Sequence, residues 1–101
     1  MYIKINDLDK LTIAKIQNSF SYEKQNYTHT IIVLLPNLLP LDTMKIISMI
    51  KNGCIVLYND NDEVLETFSD YSFKSATNNY TADGDDGVLH HIKMEFIKNE
   101  Q

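Results

Sequence analysis

At the head of the chain Ile3 and Ile5 alternate with Tyr2, Lys4 and Asn6, and this period of two predicts a half-buried strand. Asn6-Asp7-Leu8-Asp9 has the composition of a turn. Residues 11–22 carry a mixed signal. Thr12, Ala14, Ile16, Asn18, Phe20 and Tyr22 share one strand face, and their β-branched and aromatic content favours a strand over the competing short helix starting at Asp7. The polar stretch Glu23-Lys24-Gln25-Asn26 predicts a hairpin loop. Residues 27–35 then end in the apolar run from Ile31 to Leu35, as in a central strand buried on both faces. Pro36 and Pro40 stop it.

The next segment predicts one amphipathic helix at about 41–52, about three turns long. Asp42 is its expected N-cap. Ile46, Met49 and Ile50, with Leu41 or Met44 one turn earlier, form the apolar face, while Lys45 and Lys51 fall largely opposite. Gly53 is the expected residue just past its end. The Met44/Met49 stripe suits core packing and, less simply, an adaptable binding face.

Beyond the helix the pattern returns to strands. Residues 54–58 and 64–68 form a hairpin around the turn cluster Asn59-Asp60-Asn61-Asp62, and residues 71–76 form another strand. Residues 77–87 read as a flexible loop. Residues 88–97 close the chain, with His90, Ile92, Met94 and Phe96 on the core face. If the first and last strands are sheet edges, Lys4, Asn6 and Asp7 blunt one, and Lys93, Glu95 and Lys98 the other. The expected fold is α+β, a mostly antiparallel β-sheet (sandwich or partial barrel) carrying one helix, in a single domain over residues 1–101. Residues 19–28 echo residues 72–81 at five of ten positions. They are read either as two equivalent hairpins of a duplicated sheet or as chance in a chain rich in Asn, Ser and Tyr.

Charge narrows the function classes. Lys+Arg is 9 against Asp+Glu 14, for a net charge of −5, and all nine basic residues are lysine. With no guanidinium fork and no basic stripe, direct nucleic-acid binding is not expected. The apolar run from Ile31 to Leu35 is far short of the roughly 20 residues that span a bilayer, so no membrane insertion is expected. The first residues lack a secretory signal, and the single Cys54 allows no internal disulfide. Synthesis in a bacterial cytoplasm is the expectation. The two Asn-Tyr-Thr sequons, at Asn26 and Asn79, are then accidental.

Candidate chemistry is sparse. His90 and His91 are adjacent, so on a strand their rings point to opposite faces and chelate poorly; His29 would have to join them to make a metal site. The Asp83-Gly84-Asp85-Asp86-Gly87 run fails the EF-hand spacing, because the fifth position is Gly87 and the twelfth is Met94. Weak Ca²⁺ binding there or at residues 59–63 stays open beside the plainer role of turn chemistry. Cys54 follows a helix C-terminus and opens an apolar strand, which suits a small core residue better than a nucleophile. No catalytic residue, cofactor or metal is expected.

Heavy use of Ile, Asn, Lys and Tyr without Arg is the composition of an AT-rich genome, as in a low-GC bacterium or its phage. The element order resembles that of small structural proteins of bacteriophage tails and baseplates: strand, hairpin arm around residues 14–22, apolar strand, one helix, acidic hairpin, final strand. The resemblance implies a non-enzymatic assembly subunit and virion component whose partners are copies of itself or other virion subunits. It also implies that edge strands and loops engage neighbouring copies, with the acidic loop at residues 77–87 ordering on contact. Asp60 and Asp62 in one loop and Asp83, Asp85 and Asp86 in the other are the expected protein-contact residues. Two alternatives compete. One is a small phage-encoded acidic inhibitor of a host defence protein; the other is a ligand-binding or hydrolytic domain centred on His90 and His91.

Overall fold

The computed structural model describes residues 1–23, 26–36, 39–82 and 88–99, excluding the side chains of 23, 26, 78–82 and 88–91. Its elements are β1 (Tyr2–Ile5), β2 (Leu11–Thr12), β3 (Lys15–Glu23), β4 (Asn26–Leu35), α1 (Leu41–Ser48), β5 (Gly53–Tyr58), β6 (Val64–Ala82) and β7 (Val88–Lys98). Every strand pair is antiparallel, and the seven strands form one sheet in the order β2-β1-β5-β6-β7-β4-β3. This is the α+β fold that the alternation predicts.

The sheet is open, since β2 and β3 are not paired with each other. Its two ends are nevertheless consecutive in the chain, separated only by Ile13 and Ala14. Ile13 N–H donates to the Met1 carbonyl (3.2 Å), and the next amide, Ala14 N–H, donates to the Leu34 carbonyl (2.8 Å). One stretch of chain thus passes from the β1 side of the sheet to the β4 side, which forces the sheet to curl into a partial barrel. β6 makes the second corner. Its residues 64–71 pair with β5 and its residues 71–82 with β7, and the backbone turns at Asp70, which takes φ 65°. Bends of this kind let one strand serve two half-sheets. The two predicted strands at 64–68 and 71–76 are one element, and residues 77–82 belong to it rather than to a loop.

A single core fills the space between the half-sheets. Ile3, Ile5, Ile55 and Leu57 come from one, and Ile31, Val33, Leu35, Ile92, Met94 and Phe96 from the other. On β4 the burial alternates, with Ile32 and Leu34 only half-buried, so this central strand is not buried on both faces as expected. β7 is interior and β1 lies between β2 and β5, so neither end of the chain is an edge. Lys93 pairs with Glu95 instead (3.7 Å).

The helix is shorter than predicted, and its buried face is shifted. It follows Pro40, which makes no side-chain cap, and Asp42 lies in its first turn. Ile47 and Ile50 are buried and Met44 packs against the core, while Leu41, Ile46 and Met49 are exposed. The left-handed residue after the helix is Asn52 (φ 58°), and Gly53 already belongs to β5. The sequence echo is not a duplication: residues 19–28 span the β3–β4 hairpin, whereas residues 72–81 lie inside β6. No helix among the described residues is long and apolar enough to cross a membrane.

Candidate functional site

The β3–β4 hairpin outruns the rest of its half-sheet. β7 pairs with β4 only from Thr30 to Leu35, so residues 26–29 and the β3 residues opposite them stand beyond it. Their faces follow from the pleat. Tyr27 and His29 lie on the same side of β4 as core residues Ile31, Val33 and Leu35, and register sets Tyr22 opposite Tyr27 and Phe20 opposite His29. The core face of the sheet therefore continues outward as an aromatic ladder, which among the described residues is covered from another strand only at His29, by Tyr71. Phe20, Tyr22 and Tyr27 are 59%, 66% and 65% exposed. Their rings are not independent, since Phe20 stacks flat on His29 (4.3 Å, 5°) and Tyr27 is tilted against both Phe20 (5.9 Å) and Tyr22 (6.2 Å).

His29 ties this ladder to the core. The buried Tyr71, whose phenol burial pushes upward in pKa, keeps its proton and donates it to His29 Nδ1. Nε2 then carries the ring hydrogen and donates to Asn18 Oδ1 (2.9 Å). Lys98 caps the group, its ammonium 5.2 Å from the Tyr71 ring centre and bonded to the Ser69 carbonyl. Both imidazole nitrogens are engaged, so the group is a structural relay that orients Phe20.

Burial pushes the His29 pKa below its ordinary value of 6.5; Lys98 adds to this and Glu66 opposes it. The sign follows directly. The unfolded chain takes up a proton at His29 before the folded one does, so stability from the neutral ring is full above 6.5 and is lost as pH falls through the folded value. Thermal melts between pH 7.5 and 5 are expected to show this acid loss, and His29→Gln is expected to shrink it. An unchanged acid limb in the variant would show that the loss comes from elsewhere.

The acidic residues predicted as contacts behave differently. Asp60 accepts from the Met1 ammonium (2.6 Å), which holds its carboxyl below the usual range. Asp62 accepts from the Tyr2 hydroxyl (2.8 Å), and this bond pushes the Tyr2 pKa up to about 12, with desolvation adding to it. Tyr2 in turn stacks on its cross-strand partner Tyr58 (4.8 Å). The turn itself is closed by Asn59 Oδ1, which accepts from the amides of Asn61 (2.8 Å) and Glu63 (3.0 Å). Asp60 and Asp62 thus pin β1 to the β5–β6 hairpin. Asp83, Asp85 and Asp86 lie outside the described residues, as do the side chains of His90 and His91.

Register nevertheless separates the histidines. Thr30 faces Ile97, six residues along β7 from His91, which puts His29 on the order of 20 Å away. Among the described residues no three His, Cys, Asp or Glu side chains are grouped to hold a metal. The aromatic ladder is the feature that sequence reasoning missed. Its signal was present: a hairpin loop at residues 23–26 already pairs Phe20 with His29 and Tyr22 with Tyr27. Compared with protein families, curated proteins and solved structures, the chain matches none of them.

Proposed function

We propose that this chain is a non-enzymatic assembly module that acts through protein–protein contacts, with the β3–β4 hairpin as its contact surface. The observation that carries the reading is the exposure of Phe20, Tyr22 and Tyr27 on the core-side face of a hairpin that extends past its neighbours. Aromatic residues are enriched where protein surfaces meet, because each brings a large rigid area at little entropic cost. The engagement of both His29 nitrogens supports a binding rather than a chemical role for the same patch. The resemblance of the element order to small phage tail and baseplate proteins is the ground for reading the module as a virion subunit. The inhibitor reading draws on the acidic clusters Asp60/Asp62/Glu63/Glu66 and Asp83/Asp85/Asp86. Asp60 and Asp62 are engaged with Met1 and Tyr2, and the second cluster lies outside the described residues, so the hairpin is favoured over the acidic turn.

A photo-crosslinking residue at Tyr22, introduced in the native host, is expected to yield covalent protein adducts identifiable by mass spectrometry. The same group at exposed Ser48 is expected to yield none. Equal labelling from both positions, or none from Tyr22, would overturn the assignment.

A further inference from the structure

We infer that the partner of the β3 edge is a second copy of this chain, docked by antiparallel pairing of β3 with itself about a two-fold axis at Ser19. The inference rests on the hairpin being a contact surface and adds what occupies it. Among the described residues β3 has one neighbour, β4, so its other backbone edge is unpaired along Lys15–Glu23. Exposed edges are normally blunted by proline, bulges, shortness or charges along their length. β3 has nine residues, contains no proline, and bears charge only at its two ends. The opposite edge, β2, has two residues. Among the described residues β6 is also unpaired on its outer side along residues 72–82, but there it carries Lys74 and a register shift between Phe73 and Ser75, which blunt it.

A two-fold contact must be self-complementary, because the same patch meets itself. β3 meets this condition in one full-length register. With Ser19 facing Ser19, Asn18 faces Phe20, Gln17 faces Ser21, Ile16 faces Tyr22, and Lys15 faces Glu23. The last pair occurs twice by symmetry, placing opposite charges together at both ends of the seam. Moving the axis to Asn18 or Phe20 shortens the overlap and breaks both charge pairs. Parity is kept as well. Even-numbered residues face even-numbered ones, so the aromatic face of each hairpin continues into that of the other. Phe20 becomes the diagonal neighbour of its own copy and of Ile16, within reach of an aromatic ring. The pairing also closes: a two-fold contact uses β3 in both copies, so the product is a dimer rather than a fibre.

Multi-angle light scattering of the purified full chain over a dilution series tests this. The parent is expected to run at twice the chain mass and to dissociate on dilution. K15E and E23K each create two like-charge pairs, and each is expected to raise the dimer Kd by about tenfold or more. The double variant K15E/E23K restores opposite charges at both ends and is expected to return the Kd to near the parent value. Circular dichroism melts of all four proteins verify that the comparison is between folded chains. A parent that stays monomeric at every concentration overturns the inference. So does a dimer whose Kd ignores both single swaps, or one that the double swap fails to restore. Adducts from Tyr22 to a different protein, with a monomeric parent, would sink the self-pairing and leave the contact surface standing.

Discussion

Replacing Phe96 by alanine is expected to destabilise the fold by about 3–5 kcal/mol, the range for emptying a fully buried aromatic site. Phe96 is 0% exposed and lies on β7 between Phe73 of β6 and Ile31 of β4. Its ring meets that of Phe73 edge-on (5.9 Å, 80°), a geometry that adds to area burial alone. Phe96 faces the interior shared by both half-sheets, whose curl is held by two corners, at residues 13–14 and at Asp70. A cavity there is hard to collapse, because neither half-sheet can close on it without moving a corner. A domain of this size has about 5–15 kcal/mol in total, so the variant stands near the folding threshold. Urea unfolding followed by circular dichroism gives the value. A loss under about 1 kcal/mol would mean that the half-sheets do not share one interior. Phe96→Leu, which keeps most of the volume, is expected to lose much less.

The residues that were legible in sequence are those whose surroundings are local. Period two along residues 88–97 places Ile92, Met94 and Phe96 inward, and they are buried. The hairpin around residues 23–26 and the turn at 59–62 follow from composition and are present. The helix shows where pattern runs out. Ile46 and Ile47 are adjacent, as are Met49 and Ile50, so two stripes fit the same spacing, and only the sheet it packs on selects Met44, Ile47 and Ile50. β6 reads as two strands because Ser69-Asp70 looks like a break. Aspartate tolerates the left-handed region, so the strand turns there and continues.

Asp60 and Asp62 were unreadable for a different reason. Their partners Met1 and Tyr2 lie 59 and 60 residues away, and no local signal links them. The aromatic ladder went unread because its exposure depends on what lies over the hairpin. Alternating aromatics on a strand face belong to a core when something covers that face, and here the hairpin extends past its cover. The first and last strands need not be the rims, and no local signal names the strands that are. The chain in fact tucks β7 between β6 and β4 and leaves β3 outside.

Gly53→Ala is expected to destabilise the protein by about 1–3 kcal/mol, through crowding rather than backbone conformation. An added Cβ would sit 2.5 Å from Ile50 Cγ2 and 3.3 Å from the Tyr71 carbonyl oxygen. Neither neighbour yields easily. Ile50 is buried, its methyl sits on a β-branched carbon, and its carbonyl accepts from Phe73 N–H (3.1 Å). Tyr71 is the register partner of Gly53 and holds His29 through its hydroxyl. Next to Gly53, Asn6 Oδ1 accepts from Cys54 N–H (2.9 Å), so β5 cannot slide away from the helix end. The two contacts can be separated by a double-mutant cycle. Ile50→Ala alone is expected to lose about 2–4 kcal/mol by leaving a cavity. If the Ile50 methyl is the obstacle, the alanine at 53 fills part of that cavity. The pair is then less destabilised than the sum of the singles by about 0.5–3 kcal/mol. Strict additivity would assign the crowding to the Tyr71 carbonyl. In that case Gly53→Ala should also disturb the aromatic ladder, because displacing the Tyr71 backbone shifts the hydroxyl that orients His29 beneath Phe20.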